Sequence, residues 1–356
     1  MNFMPKCTAT AIGSFPFKEP EEITEKIFEK LPDIPNWAQL PNVNFKESMY
    51  IQYSEGMPCI VINETNEKIY FDTSGDIYEK LDIFYEKYVE KDIEYFGISK
   101  EFSSGFYAYE NYLKNQDLGN IKFLKGQVTG PVSFGLTVTD ENKRAALYNE
   151  GLVDSIVKCC AMKAAWQITR LKRFFQNIIV FIDEPYLSSF GSAFISISRE
   201  QVIDFINEIT DVIHEYGGLA GVHCCGNTDW SILMDTRVDI INFDAFEYFQ
   251  GMVLYPDNLK KFFKNEGILA WGIVPTSEKI KCENTDSILE NLDNKMDVLS
   301  EKGFEKDELL DRCLITPSCG MGTMTIDLSM KVLEILNDIS AKLRERYYNV
   351  NKNDCE

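Results

Sequence analysis

The sequence predicts a single (β/α)8 TIM barrel carrying a β-hairpin insertion after the second strand, spread over one catalytic domain of residues 1–356. Three observations predict it. Short apolar runs bounded by turn residues alternate with longer helical patterns along the chain. No internal repeat or low-complexity linker divides it, and 356 residues at 45% hydrophobic content suffice for one large α/β core. Residues able to do chemistry fall at the ends of the apolar runs, where such barrels place their sites. An open doubly wound sheet is the competing fold. No Gly-x-Gly-x-x-Gly loop follows any run, which counts against a dinucleotide-binding version of it.

The runs follow in order. Thr8 to Ser14 reads as the first buried strand, ended by Phe15-Pro16; Glu19-Pro20-Glu21-Glu22 then opens a helix with acids in its first turn. Pro35 to Pro41 reads as a short second strand fenced by prolines. Cys59–Ile62 and Lys68–Asp72 flank Asn63-Glu-Thr-Asn66, giving a hairpin inserted at about 48–75. A helical pattern spans Tyr78 to Ile98. Lys122 to Gly130 is strand three, and a long amphipathic helix covers Lys143 to Phe175. Asn177 to Asp183 is strand four, and Arg199 to Tyr216 is helical. Strand five is the Gly217–Cys225 stretch, Val238 to Asp244 strand six, Gly267 to Val274 strand seven and Cys313 to Cys319 strand eight. A final helix covers Thr323 to Arg346.

The chain has a net charge of −20, which repels nucleic acid and anionic membrane surfaces. No apolar run is long enough to span a membrane. Ten cysteines, with no apolar leader in Met1–Thr10, point to reduced thiols and a cytoplasmic location.

Only two histidines occur, His214 and His223. His223 lies two residues before Cys225 on strand five. Alternate strand residues share a face, so His223 and Cys225 point one way and Cys224 the other. A barrel brings Cys319, at the end of strand eight, to the same mouth. One imidazole and two thiolates, with a fourth position left for a carboxylate or substrate, form the ligand pattern of a catalytic zinc. The other strand ends carry Ser14, Asp183, Glu184 and Asp244. His214 reads as a helix residue near a C-terminus, and Cys159, Cys160 and Cys224 as packed core.

Five motifs occur in order: Ala11-Ile-Gly-Ser-Phe-Pro16, Val128-Thr-Gly-Pro131, Ile182-Asp-Glu-Pro185, His223-x-Cys225 and Ser318-Cys-Gly320. Together they resemble the catalytic barrel of the cobalamin-independent methionine synthases and their short relatives. His223-Cys-Cys-Gly-Asn-Thr228 is also similar to the corrinoid-linked methyltransferases of the uroporphyrinogen-decarboxylase-like superfamily. The resemblance spans roughly residues 8–325 and covers one barrel of the synthases' two.

The resemblance implies a zinc-dependent methyltransferase that holds a substrate thiol, homocysteine-like or coenzyme M-like, as thiolate. It makes His223, Cys225 and Cys319 the zinc ligands and the catalytic centre. The fourth ligand would be a carboxylate on strand six: strand matching gives Asp244, and spacing from the histidine gives Glu247. Asp183 matches a carboxylate facing a substrate ammonium, with Glu184 beside it. Ile12 and Ser14 match a segment that holds the substrate carboxylate. The synthases carry a histidine after strand seven where this chain reads Val274-Pro-Thr-Ser277, and their early His-Gly-Glu segment is not found. Those departures favour a corrinoid methyl donor such as methylcobalamin, free or on a corrinoid carrier protein, over methyltetrahydrofolate. The competing functions are a uroporphyrinogen-type decarboxylase, for which the chain has few arginines; a glycoside hydrolase using Glu184; and a non-catalytic zinc or corrinoid binder.

Overall fold

The computed structural model describes residues 3–115, 118–193 and 195–348. Its strands are β1 Thr8–Ala9, β2 Ile60–Asn63, β3 Lys68–Phe71, β4 Leu124–Thr129, β5 Ile178–Asp183, β6 Leu219–Cys224, β7 Ile240–Phe243, β8 Ile268–Val274 and β9 Cys313–Pro317. Seven form one parallel sheet in the order β1-β9-β8-β7-β6-β5-β4. The order runs back along the chain one neighbour at a time, as a curled sheet with helical crossovers requires.

The eighth stave differs from expectation. Residues 35–41 form no ladder. They touch each edge of the sheet through one isolated parallel bridge, Asn36 to Lys125 of β4 and Gln39 to Ser14 beyond β1. Trp37 N–H donates to the Lys125 carbonyl at 3.3 Å and Gln39 N–H to that of Gly13 at 2.9 Å. Pro35 and Pro41 fence the segment and supply no N–H, so pairing stops after a few bonds. The first strand is also shorter than expected: its ladder covers Thr8–Ala9, because the chain turns away to meet Gln39.

β2 and β3 pair antiparallel, Ile60 opposite Phe71, and Phe71 N–H reaches the Thr139 carbonyl at 2.9 Å. The helical pattern at 78–98 is realised only over Tyr78–Val89. Lys91 then takes φ 52°, which a helix cannot continue, and a second helix begins at Ser104. The long helix runs over Glu150–Leu171 rather than 143–175, starting where the Asn149 side chain accepts the Leu152 N–H.

Strand alternation divides the core in two. Outward residues such as Val180, Ile182, Val222, Phe243, Trp271 and Ile315 pack against the helices. Inward residues change character along the strands. Phe123, Ile179, Leu219, Ile240 and Ile268 form an apolar plug at the strand starts. The inward positions nearer the strand ends hold Lys125, Gln127, Asp183, His223, Asn242 and Thr316. An apolar floor under a polar mouth is what the parallel register produces here. No described helix is long and apolar enough to cross a membrane.

Candidate active site

β5, β6 and β9 end at the wall of a cavity of about 320 Å³. His223 is the last inward residue of β6, and Cys225 follows one position past the strand. Cys319 lies just beyond β9. Their donor atoms all lie within 4.8 Å of one another, the one such group of His, Cys, Asp and Glu among the described residues. Cys224 faces the helices instead, buried, with its thiol toward the Gly226 carbonyl at 3.5 Å.

The cluster's electrostatics favour a cation. Hydrogen bonding from Cys319 and the neighbouring His223 pull Cys225 down to about 4 against the effect of burial. The Cys319 thiol is pushed up, first by its bond to Cys225 and then by burial. The bond between the two sulfurs thus favours the thiolate at Cys225 and the thiol at Cys319. Burial works against a charged His223, but the Cys225 hydrogen bond, the charges of Cys225 and Asp183, and Asn242 raise it overall.

The His223 ring is oriented by a residue the sequence reading missed. Asn242, fully buried on β7, lies opposite His223 in the β6–β7 register. Its amide nitrogen donates to the Ala270 carbonyl at 2.9 Å and to Thr316 Oγ1 at 2.7 Å. Its oxygen therefore faces the imidazole, so His223 Nδ1–H donates to Asn242 Oδ1. Nε2 is left on the side of Cys225, the nitrogen that would offer its lone pair to a metal once deprotonated.

Ile12, Ser14 and Asp183 line the same cavity as His223, Cys225 and Cys319. Burial pushes Asp183 up to about 6, with His223 and Lys125 opposing. Its Oδ1 is buried without a hydrogen-bond partner among the described residues. Below it Lys125, fully buried, donates to the Ile12 carbonyl at 2.6 Å and lies 4.3 Å from the Phe181 ring centre. Burial brings its pKa down to about 7, against the pull of Asp183. Ser14 Oγ accepts the Gly322 N–H at 3.3 Å, tying the first strand's exit to the Cys319 loop.

Three carboxylates from the sequence reading stand apart from the cavity. Glu184 turns away and accepts the Val132 and Ser133 N–H groups at 2.9 and 2.8 Å and the Ser133 hydroxyl at 2.6 Å. It is an anchor at the N-terminus of the helix Pro131–Thr137. Burial still pushes it up to about 7. Gly130 makes room for it, since a Cβ there would sit 2.1 Å from the Glu184 carboxyl carbon. Asp244 accepts the Glu247 N–H at 2.9 Å, and Glu247 pairs with Lys279 at 2.5 Å. Neither lies in the group formed by His223, Cys225 and Cys319. His214 bonds Asp239 at 2.8 Å, away from the cavity, and that contact raises its pKa.

No protein-family model matches the chain. A curated methionine synthase of Methanocaldococcus jannaschii is 26% identical over 214 residues, covering 59% of this chain and 62% of that protein. The match thus spans less than two thirds of that relative's length. A solved structure of a B12-independent methionine synthase from Shewanella, in complex with selenomethionine, aligns with a TM-score of 0.44 and 15% identity over 64% of each chain. That likeness is too slight to bear on the fold, which rests on the strand order.

The methionine synthase relative overturns the corrinoid donor and lends no support to a corrinoid carrier. That relative is a methionine synthase, and the motifs of this chain resemble those of the cobalamin-independent type. The expectation leaned on a missing histidine after β8 as a missing proton route. The structure places a hydroxyl pair there, Thr276 and Ser318 at 3.1 Å, and supplies near-neutral acid–base groups elsewhere in Asp183 and Lys125. The chain is similar in sequence to the methionine synthases, the family its motifs resemble.

Proposed function

We propose that this protein is a zinc-dependent methyltransferase acting on a thiol of the homocysteine type. The observation that carries the reading is the convergence of one imidazole and two thiols, from β6 and the turn after β9, on a cavity wall that also presents Asp183. His223, Cys225 and Cys319 fit zinc as a donor set with a fourth position left for substrate. Zinc held there would supply a Lewis acid that keeps the acceptor's sulfur as thiolate near neutral pH. Cys225 is already inclined to ionise, and Asn242 holds the proton on His223 Nδ1, so that Nε2, on the Cys225 side, would be the nitrogen that gives up its proton to zinc.

The rest of the cavity positions the acceptor. Asp183 faces the ammonium, and Ser14 with the Ile12 segment faces the carboxylate. Lys125 fixes that segment by its bond to the Ile12 carbonyl. The methyl donor works without a corrinoid, which leaves an N-methylated folate of the methyltetrahydrofolate type. A polycarboxylate decarboxylase is disfavoured because no arginine or lysine is among the residues lining the cavity.

The test combines elemental analysis with methyl transfer from methyltetrahydrofolate to homocysteine. The purified chain should hold one zinc, and both Cys225→Ser and Cys319→Ser should lose most of it while remaining folded. Full zinc in both variants, or none in the parent, would sink the assignment.

A further inference from the structure

Where β4 meets β5, the cavity wall presents acceptors in search of donors. Gln127 and Asp183 both line it, and Gln127 Oε1 and Asp183 Oδ1 are buried with no hydrogen-bond partner among the described residues. A buried unpaired acceptor is costly, so two on one wall call for a donor-rich ligand.

Gln127 is 2% exposed and rigidly held. Its amide nitrogen is directed at the Trp37 carbonyl at 3.4 Å, which fixes the amide's sense and leaves the oxygen free. Its backbone carbonyl accepts from both Tyr53 Oη at 2.8 Å and Gln167 Nε2 at 2.9 Å. Gln167 in turn accepts the Trp37 indole N–H at 2.8 Å. Gly13 leaves the space the side chain fills, since a Cβ there would come within 2.8 Å of Gln127 Cδ. In the parallel register Thr129 lies opposite Asp183, so Gln127 is one inward position deeper on the neighbouring strand.

We infer that Gln127 is a second acceptor, beside Asp183, for the primary ammonium of the acceptor thiol, and so sets the site for aminothiols. This rests on reading the cavity as a thiol site. A primary ammonium carries three donors and no acceptor, the complement of this wall. A carboxylate would be repelled, and a hydroxyl would satisfy one acceptor only. A neutral amide adds the second acceptor without a further negative charge near Cys225, whose charge already raises Asp183.

The test is calorimetric binding to the zinc-loaded protein of homocysteine and of 4-mercaptobutanoate, the same chain without its amine. The parent should prefer homocysteine. Gln127→Met, similar in volume but lacking the acceptor, should reduce that preference tenfold or more and leave 4-mercaptobutanoate within about twofold, as expected for loss of a hydrogen bond to a charged group. A merely structural role would weaken both thiols alike. An unchanged preference in Gln127→Met overturns the inference, as does a parent that binds both thiols equally; neither touches the thiol reading. A parent that binds neither thiol overturns the thiol reading and the inference with it. If Gln127→Met does not fold, Gln127→Glu, which keeps an acceptor, must retain the preference, and its loss there counts against Gln127.

Discussion

Replacing Asn242 by leucine isolates the orientation of His223 from its identity as a ligand. Asn242 is fully buried and makes three contacts: it accepts from His223 Nδ1 and donates to the Ala270 carbonyl and to Thr316 Oγ1. Leucine fills a similar volume and offers none of them. The imidazole Nδ1–H and the Thr316 hydroxyl are left buried and unpaired, at about 1–3 kcal/mol each. A stability loss of about 2–4 kcal/mol follows, because Thr316 Oγ1 loses only an incoming donor and its own O–H is untouched. The imidazole also loses the partner that fixes its tautomer. Loss of such a partner typically weakens metal binding by about 10–100-fold, or about 1.4–2.8 kcal/mol. Zinc affinity would be measured by competition with a calibrated chelator, on protein shown by its thermal melt to be folded. Asn242→Asp is the control: it keeps an acceptor facing Nδ1 and should hold zinc at least as well as the parent. A folded Asn242→Leu protein with zinc affinity within about twofold of the parent would refute the reasoning, as would an aspartate variant that behaves like the leucine one.

Glu184 predicts a pH dependence of stability. Its folded pKa of about 7 lies above its ordinary 4.5, so the folded chain holds the proton more tightly than the unfolded one. Its contribution is fully present below about pH 4.5 and is lost as pH rises through about 7, a span of about 3 kcal/mol. Denaturant titrations at pH 5 and 7.5 should show the parent losing stability relative to Glu184→Gln over that interval, and parallel curves would exclude the effect. Gly130→Ala should cost about 2 kcal/mol or more, because the new methyl overlaps the Glu184 carboxyl group; urea unfolding with an unchanged midpoint would contradict the packing. Asp244→Asn should leave zinc content unchanged, since that carboxylate stands outside the group of His223, Cys225 and Cys319; metal loss by elemental analysis would restore it as a ligand.

The His223–Cys225 pairing was legible because it needs only the twofold period of a strand. Cys319 was legible because a barrel gathers strand ends whatever their distance along the chain. Asn242 was not, since its role depends on the register between β6 and β7, which neither strand encodes alone. Gln127 and Lys125 were not singled out either, because only the β4–β5 register sets their strand beside that of Asp183. Glu184 looked like a site acid because it adjoins Asp183, but alternation turns it to the opposite face, where a helix N-terminus receives it. The second stave looked like a strand from its prolines and apolar centre. Those prolines are also what deny it a ladder.

That incomplete stave divides the wall into a stiff arc and a compliant one. β6 to β9, which carry His223, Asn242 and the approach to Cys319, are joined by multi-residue ladders, broken only by a register shift between Gly272 and Val274 on β8. The segment at 36–39 is joined by single bridges. Sub-global opening starts where the fewest backbone bonds must break, so amide exchange at Trp37 and Gln39 should precede exchange at Val222 and Ile241. Gln39 lines the cavity, as do Met49 and Tyr53 from the chain just beyond that stave. Bulky molecules would thus enter and leave by deforming one side of the vessel, with His223, Cys225 and Cys319 undisturbed on the other.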